Sequence, residues 1–257
     1  IYTNAFIESD KKYICISRPR RFGKTISANM VAAYYDIHCT ARKTFSGLKI
    51  TKHPSFFAYA NKYIVIKLTI QTYLSITHNV DHLIKEIQKN IKDELLIEYC
   101  NKYSSDHLNK LMYSISLATG KKFVIVIDEW DAVFRVRKED KEGQTRYLDF
   151  LRDWLKDKEY VALAYMTGIL PIKKYGEHSA LNMFAEYSMT TPMQLARYTG
   201  FTEEEVLFLC RQYGRDFDMI KDWYDGYELS DPVNINIIDN KDEIINLSDL
   251  QIKVPNT

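Results

Sequence analysis

Apolar residues follow two rhythms along this chain. Short, mostly apolar runs at residues 13–16, 63–68, 123–127, 160–165 and 184–189 are rich in Ile, Val, Tyr and Phe and predict five strands. The run Phe123-Val124-Ile125-Val126-Ile127 shows no polar alternation, the pattern of a strand buried on both faces. Between the runs the spacing turns helical. Ile26, Met30, Ala33, Tyr34 and Ile37 predict a helix over 26–38 packed on a sheet by that face. The stretch from about 80 to 119 reads as two helices separated near Ser104-Ser105-Asp106, with Ser105 or Asp106 capping the second. Tyr147, Phe150, Leu151, Trp154 and Leu155 mark an amphipathic helix over 144–157. Phe45-Ser46-Gly47-Leu48-Lys49-Ile50 and His53-Pro54 read as a connecting segment. Strands alternating with helices predict a parallel sheet covered on both faces. Beyond Gly200 the pattern becomes Glu-rich and helical from Phe201-Thr202-Glu203-Glu204-Glu205, which places a boundary near 195–200. No internal repeat or low-complexity segment is present.

The first strand runs into Ser17-Arg18-Pro19-Arg20-Arg21-Phe22-Gly23-Lys24-Thr25 and then into the first helix. Strand, loop with Gly-Lys-Thr, helix is the layout of a phosphate-binding loop. Loop N–H groups and the helix N-terminus would cradle phosphate oxygens, so Arg20, Arg21, Phe22, Gly23, Lys24, Thr25 and Ile26 are the expected contacts. Lys24 would reach the β- and γ-phosphates, and Thr25 would ligate Mg²⁺. Arg18 stands where the full pattern has its first glycine. An Arg disfavours positive φ, so the loop must enter its turn differently or be set by Pro19. The bland alternative is a basic turn before a helix.

Asp128 and Glu129 close the most apolar strand. Ligands of open α/β sheets bind at the carboxyl ends of strands. Were this strand to neighbour the first, Asp128 would arrive beside Thr25 and hold Mg²⁺, directly or through water. Glu129 would orient and polarise an attacking water. The competing reading is a solvated strand end or a helix cap. A Glu directly after the metal-associated Asp suits ATP hydrolysis. The guanine-nucleotide pattern Asp-x-x-Gly fails because Asp131 stands at its last position, and Asn240-Lys241-Asp242-Glu243 falls short of Asn-Lys-x-Asp. Thr167, ending the fourth run, is expected to be exposed, either touching the γ-phosphate or water, or merely satisfying a loop. Arg18, Arg20 and Arg21 could stabilise transition-state charge in cis, or face solvent or a partner.

Composition narrows the class without changing it. Among 257 residues, 46% are hydrophobic and 27% charged, enough for one α/β domain with a smaller appendage. The net charge of +1 gives no global case for nucleic acid or acidic lipid. No apolar run of membrane-spanning length occurs. Cys15, Cys39, Cys100 and Cys210 have no paired spacing, and Cys15 is expected as a small buried apolar thiol. The six histidines are scattered, and His78 with His82 reads as a solvated helix face. A cytoplasmic location is the expectation. Ile1-Tyr2-Thr3-Asn4 carries neither an initiator Met nor a signal-peptide profile, and reads as a chain cut from something longer.

Taken together, these motifs resemble the predicted AAA-ATPase-like family of bacteria. Its signature loop has the form Arg-Pro-Arg-Arg-Phe-Gly-Lys-Ser/Thr, so Arg18 in place of glycine is normal there. The segment from Tyr2 to Ile7 is similar to its N-terminal motif, with Asn4 and Ala5 departing. Phe45 to Ile50 resembles its Phe-x-Gly-Leu-x-Ile. Val126-Ile127-Asp128-Glu129-Trp130-Asp131 resembles its Walker B strand, where Tyr is more usual than Trp130, and Thr167-Gly168-Ile169-Leu170-Pro171-Ile172 its fourth strand. Gly200 to Val206 and Trp223-Tyr224-Asp225-Gly226-Tyr227 are similar to its lid. The resemblance covers roughly residues 1–230. It implies an α/β P-loop NTPase of the ASCE/AAA-like kind, a three-layer core with a parallel five-stranded sheet and a small C-terminal helical lid. Core 1–198, lid 199–230 and an unassigned tail 231–257 are the expected divisions. Members often carry a C-terminal PD-(D/E)xK nuclease-like domain.

The leading expectation is an ATP-binding, Mg²⁺-dependent ATPase module. Lys24 and Glu129 would be its catalytic residues, Thr25 and Asp128 its metal ligands, and Thr167 a further nucleotide contact. A STAND-like nucleotide-dependent switch or scaffold with little turnover is the alternative, and a P-loop kinase the third. ATP is the expected partner, a homo-oligomer is possible, nucleic acid enters only by analogy with the fused nuclease, and no membrane contact is expected.

Overall fold

The protein is described by a computed structural model, covering residues 2–9, 11–99, 105–172, 180–189, 195, 198, 200–224, 226–229 and 252–255. The chain opens with α1 (Tyr2–Glu8), β1 (Tyr13–Ser17), α2 (Lys24–Tyr35), α3 (Ala41–Thr44), a 3₁₀ turn (Lys49–Lys52) and α4 (Phe56–Tyr59). It continues through β2 (Ile64–Thr69), α5 (Ile70–Ile76), α6 (Val80–Glu98), α7 (Leu108–Thr119), β3 (Phe123–Asp128), α8 (Ala132–Val136) and α9 (Lys141–Leu155). Then follow β4 (Val161–Gly168), β5 (Ala185–Tyr187), α10 (Glu203–Tyr213), α11 (Phe217–Tyr224), β6 (Gly226–Leu229) and β7 (Ile252–Pro255).

Five strands form one parallel sheet in the order β2-β3-β4-β1-β5. Successive strand side chains point to opposite faces, and the core divides accordingly. Ile14, Ile16, Val124, Val126 and Tyr165 face α1, α2 and α4. Cys15, Ile66, Phe123, Ile125 and Ile127 face α5, α6, α7 and α9. That is a three-layer α/β molecule. The central strands β3 and β4 are buried at every position, whereas edge strand β2 exposes Lys67, a charge that discourages edge pairing. Each fully buried Ile or Phe contributes about 1.5–3 kcal/mol, so the apolar strand runs identify the sheet's centre.

Several helix ends are capped by their own side chains or by glycine. Asn79 caps α6 by accepting from His82 N, and Asp140 caps α9 through Gly143 N. Thr202 and Glu205 form a reciprocal capping box at the start of α10. Gly120 ends α7 in the left-handed region at φ 66°, where glycine alone lacks a Cβ penalty. His78 is exposed and His82 half-buried, and His82 lies 3.6 Å from Glu86 on the same helix. Cys15 is fully buried.

Other expectations are corrected. Helix α2 packs by only part of the predicted face: Tyr34 is buried and Ala33 and Ile37 pack against the core, but Ile26 and Met30 are exposed, and Ala28 and Tyr35 are buried in addition. Neither Ser105 nor Asp106 caps α7, which starts one residue later on His107; Ser105 Oγ accepts from His107 N at 3.2 Å. Strand β3 does not adjoin β1, because β4 lies between them. The antiparallel pairing of β6 with β7 joins part of the unassigned tail to residues 226–229. Cys100, Ser104, His178, Asp225 and the stretch 240–243 lie outside the described residues.

Candidate nucleotide site

The loop between β1 and α2 begins as a continuation of the sheet. Arg18 N donates to Gly168 O at 3.0 Å, extending the β1–β4 pairing by one step. The Arg18 side chain is fully buried, and its Nη1 donates to Ser17 O (3.1 Å) and Tyr187 O (2.7 Å). Burial pulls its pKa down to about 10. Positive φ falls not at Arg18 but at Arg21 (70°) and Gly23 (71°). An Arg is therefore admissible where the common pattern has glycine: the sharp turn comes three residues later, and the side chain ties the loop to β5. Holding Arg21 in the left-handed region costs about 1–3 kcal/mol.

Gly23 begins α2, with Ser27 N donating to its carbonyl at 2.9 Å. Lys24 Nζ donates to Pro19 O at 2.6 Å, folding the ammonium back over its own loop. Burial lowers the Lys24 pKa, while Asp128, Asp131 and Glu129 pull it upward.

Across the carboxyl edge of the sheet, Asp128 is 1% exposed. Its Oδ1 accepts from Glu129 N at 3.1 Å and from the Thr167 hydroxyl in a very short contact. Glu129 has φ 55°, a left-handed turn that ends the strand, and Trp130 N then donates to Thr167 O at 3.1 Å. Asp131 is fully buried, and its Oδ2 accepts from Ile169 N (3.1 Å) and Leu170 N (3.0 Å). Arg135, one helical turn on, lies 3.2 Å from Asp131 Oδ2 through Nε and 3.4 Å from Glu129 Oε2 through Nη2.

These elements surround a cleft of about 300 Å³ lined by Arg20, Arg21, Gly23, Lys24, Thr25, Ile26, Asp128, Glu129, Gly168 and Ile169. Eight of the expected site residues therefore share one cleft, although β1 and β3 are not neighbours. All five strands are parallel, so every carboxyl end reaches the same edge. Two expected contacts do not line it. Phe22 is 1% exposed, and Thr167 is fully buried rather than exposed, its hydroxyl engaged by Asp128 one layer behind the cleft wall. Sequence reasoning assigned no role to Asp131 and Arg135. Their i, i+4 spacing just after an acidic pair was the available signal.

A second, apolar cavity of about 390 Å³ opens beside α2's first turns, lined by Tyr2, Ile14, Ile16, Ser27, Met30, Val31, Phe45, Leu48, Tyr165 and neighbours. Ile26 lines the first space and Ser27 the second. Among the described residues no cluster of three or more His, Cys, Asp or Glu could hold a metal by itself. A hydroxyl and one carboxylate are instead the hard-oxygen donors that Mg²⁺ accepts when waters and phosphates complete its shell. Thr25 and Asp128 meet that description. No helix among the described residues is long and apolar enough to cross a membrane.

The sheet order, the loop between its fourth-placed strand and the following helix, and the acidic pair ending β3 define a P-loop NTPase fold. The chain belongs to the AAA-ATPase-like family, whose model, described as "Predicted AAA-ATPase", matches residues 2–176. It is 22% identical over 231 residues to an uncharacterised protein encoded in the vnfD 5′ region of Azotobacter chroococcum mcd 1, covering 86% of this chain and 42% of that protein. Among solved structures it is similar to the ORC2 protein of Aeropyrum pernix, determined as ADPNP-ADP complexes. That match has 8% identity and a TM-score of 0.41, and covers 82% of this chain and 48% of the other. The chain thus spans less than half the length of either.

Proposed function

We propose that the cleft binds ATP with Mg²⁺ and hydrolyses it, driving a conformational or assembly change. The observation that carries this reading is the convergence of Lys24, Thr25, Asp128 and Glu129 on one cleft. Lys24 leaves the Pro19 carbonyl for the β- and γ-phosphates, exchanging a neutral acceptor for a charged one. The N–H groups at the start of α2 receive phosphate oxygens. Thr25 and Asp128 hold the metal, which when bound neutralises phosphate charge. Thr167 keeps Asp128 oriented from behind. Glu129 orients the attacking water and takes up its proton. Arg20 and Arg21 line the cleft mouth, where their charge favours an anionic ligand. The apolar cavity on the adjacent turn of α2 suits a nucleoside base, and the lack of guanine-reading patterns supports adenine. Helices α10 and α11 supply the lid.

Glu129→Gln keeps the carboxylate's shape but not its basicity. ATP binding is expected to persist while turnover falls roughly 100-fold or more, measured as phosphate release alongside equilibrium binding. Unchanged turnover would remove Glu129 from the mechanism. A slow nucleotide-dependent switch is the second reading. What favours it is that Lys24 rests on a protein group, the Pro19 carbonyl, which nucleotide must displace.

A further inference from the structure

The Glu129 side chain is 37% exposed and stands on a left-handed backbone. A glutamate so placed loses rotamer freedom when it is held for chemistry, so a fixed partner is needed to define its direction. Arg135 is that partner, and it is itself paired with a second carboxylate. Its Nε lies 3.2 Å from Asp131 Oδ2 as an ion pair without hydrogen-bond geometry, and its Nη2 donates to Glu129 Oε2 at 3.4 Å. Asp131 is anchored in turn, fully buried with two backbone N–H groups from the end of β4 on Oδ2. Because a guanidinium is planar, setting its Nε edge on one carboxylate also sets where its Nη atoms lie.

We propose that Arg135 is a positioning residue. From the Asp131 post it holds Oε2 of Glu129, so that the other carboxylate oxygen addresses the water in line with the γ-phosphate. The proposal rests on the ATPase reading above and extends it, because it ties the Glu129 direction to Ile169 and Leu170, residues that follow β4. A movement of that segment would re-aim the glutamate through Asp131 and Arg135.

The test is steady-state ATP turnover by the natural full-length protein, with nucleotide affinity measured separately on a fluorescent ATP analogue. Arg135→Ala is expected to lower kcat roughly 10- to 100-fold, with KM and analogue affinity close to wild type. Arg135→Lys keeps the charge but not the plane, and is expected to recover part of kcat. It also gives the answer if the alanine variant melts early. Wild-type kcat in Arg135→Ala, or a kcat above wild type, overturns the proposal while leaving the ATPase reading intact. Parallel losses of kcat, analogue affinity and melting temperature, with Lys no better than Ala, also overturn it, in favour of a purely structural role. Absence of turnover in the wild-type protein removes the ATPase reading, and the proposal with it.

Discussion

Gly168 shows how tightly individual residues around the cleft are interlocked. A Cβ added there would lie 2.6 Å from Trp130 Nε1, 2.8 Å from its Cδ1 and 2.9 Å from Asp131 Oδ1. Trp130 and Asp131 are fully buried and have nowhere to retreat. Gly168→Ala is therefore expected to destabilise the protein by about 1–3 kcal/mol, read from denaturant unfolding, and to depress turnover by displacing the Asp131 anchor. An alanine variant as stable as wild type would mean this corner is looser than its geometry. By contrast, Gly23 has no heavy atom near a built Cβ; its requirement is its left-handed φ alone. Arg18 teaches a related lesson. The sequence invited concern over an Arg in a glycine's place, yet the positive φ sits at Arg21 and Arg18 uses its length to reach the Tyr187 carbonyl.

At the level of elements, the strands were the most legible part. Mostly apolar runs rich in β-branched and aromatic residues favour a sheet, and all five lie where the pattern placed them to within about three residues. Sheet order was not legible, because apolar runs do not name their neighbours. That is why the adjacency of β3 and β1 could only be entertained as a condition, and β4 in fact intervenes. Helix faces were only partly legible. Ile26 and Met30 match a core-facing spacing, but the loop determines where α2 begins and leaves both residues exposed beside the cleft and the apolar cavity. Most cleft residues could be read from the Gly-Lys-Thr and Asp-Glu motifs, since the chemistry restricts residue type at those places. Asp131 and Arg135 escaped because their role exists only between elements, in contacts with Glu129 and with backbone N–H groups after β4. Thr167 was found by position but misjudged in exposure, since burial behind Asp128 depends on packing that strand spacing does not reveal.

For the whole molecule, burial of tyrosine sets the response to alkali. Tyr13, Tyr34, Tyr35, Tyr63, Tyr147, Tyr160 and Tyr165 are held above the ordinary phenol value of 10.0, with burial the largest cause in each. The fold favours their neutral forms. Their contribution is thus complete below pH 10.0 and is lost above it, where the unfolded chain ionises first. Arg18 and Lys24, lowered by burial, act in the opposite sense, but they are two against seven. The melting temperature is expected to fall as pH rises from about 9 to about 11, and a constant or rising value would contradict it. The central claim is that residues far apart in sequence, brought to one edge of the parallel sheet, form one triphosphate site. It is tested most directly by calorimetric titration of ATP with Mg²⁺ into the natural full-length protein and into Lys24→Ala. Saturable binding by wild type, weakened about 10- to 100-fold in the variant through loss of one charge-assisted hydrogen bond, is the predicted result. No binding by wild type, or equal affinity in both proteins, would contradict it.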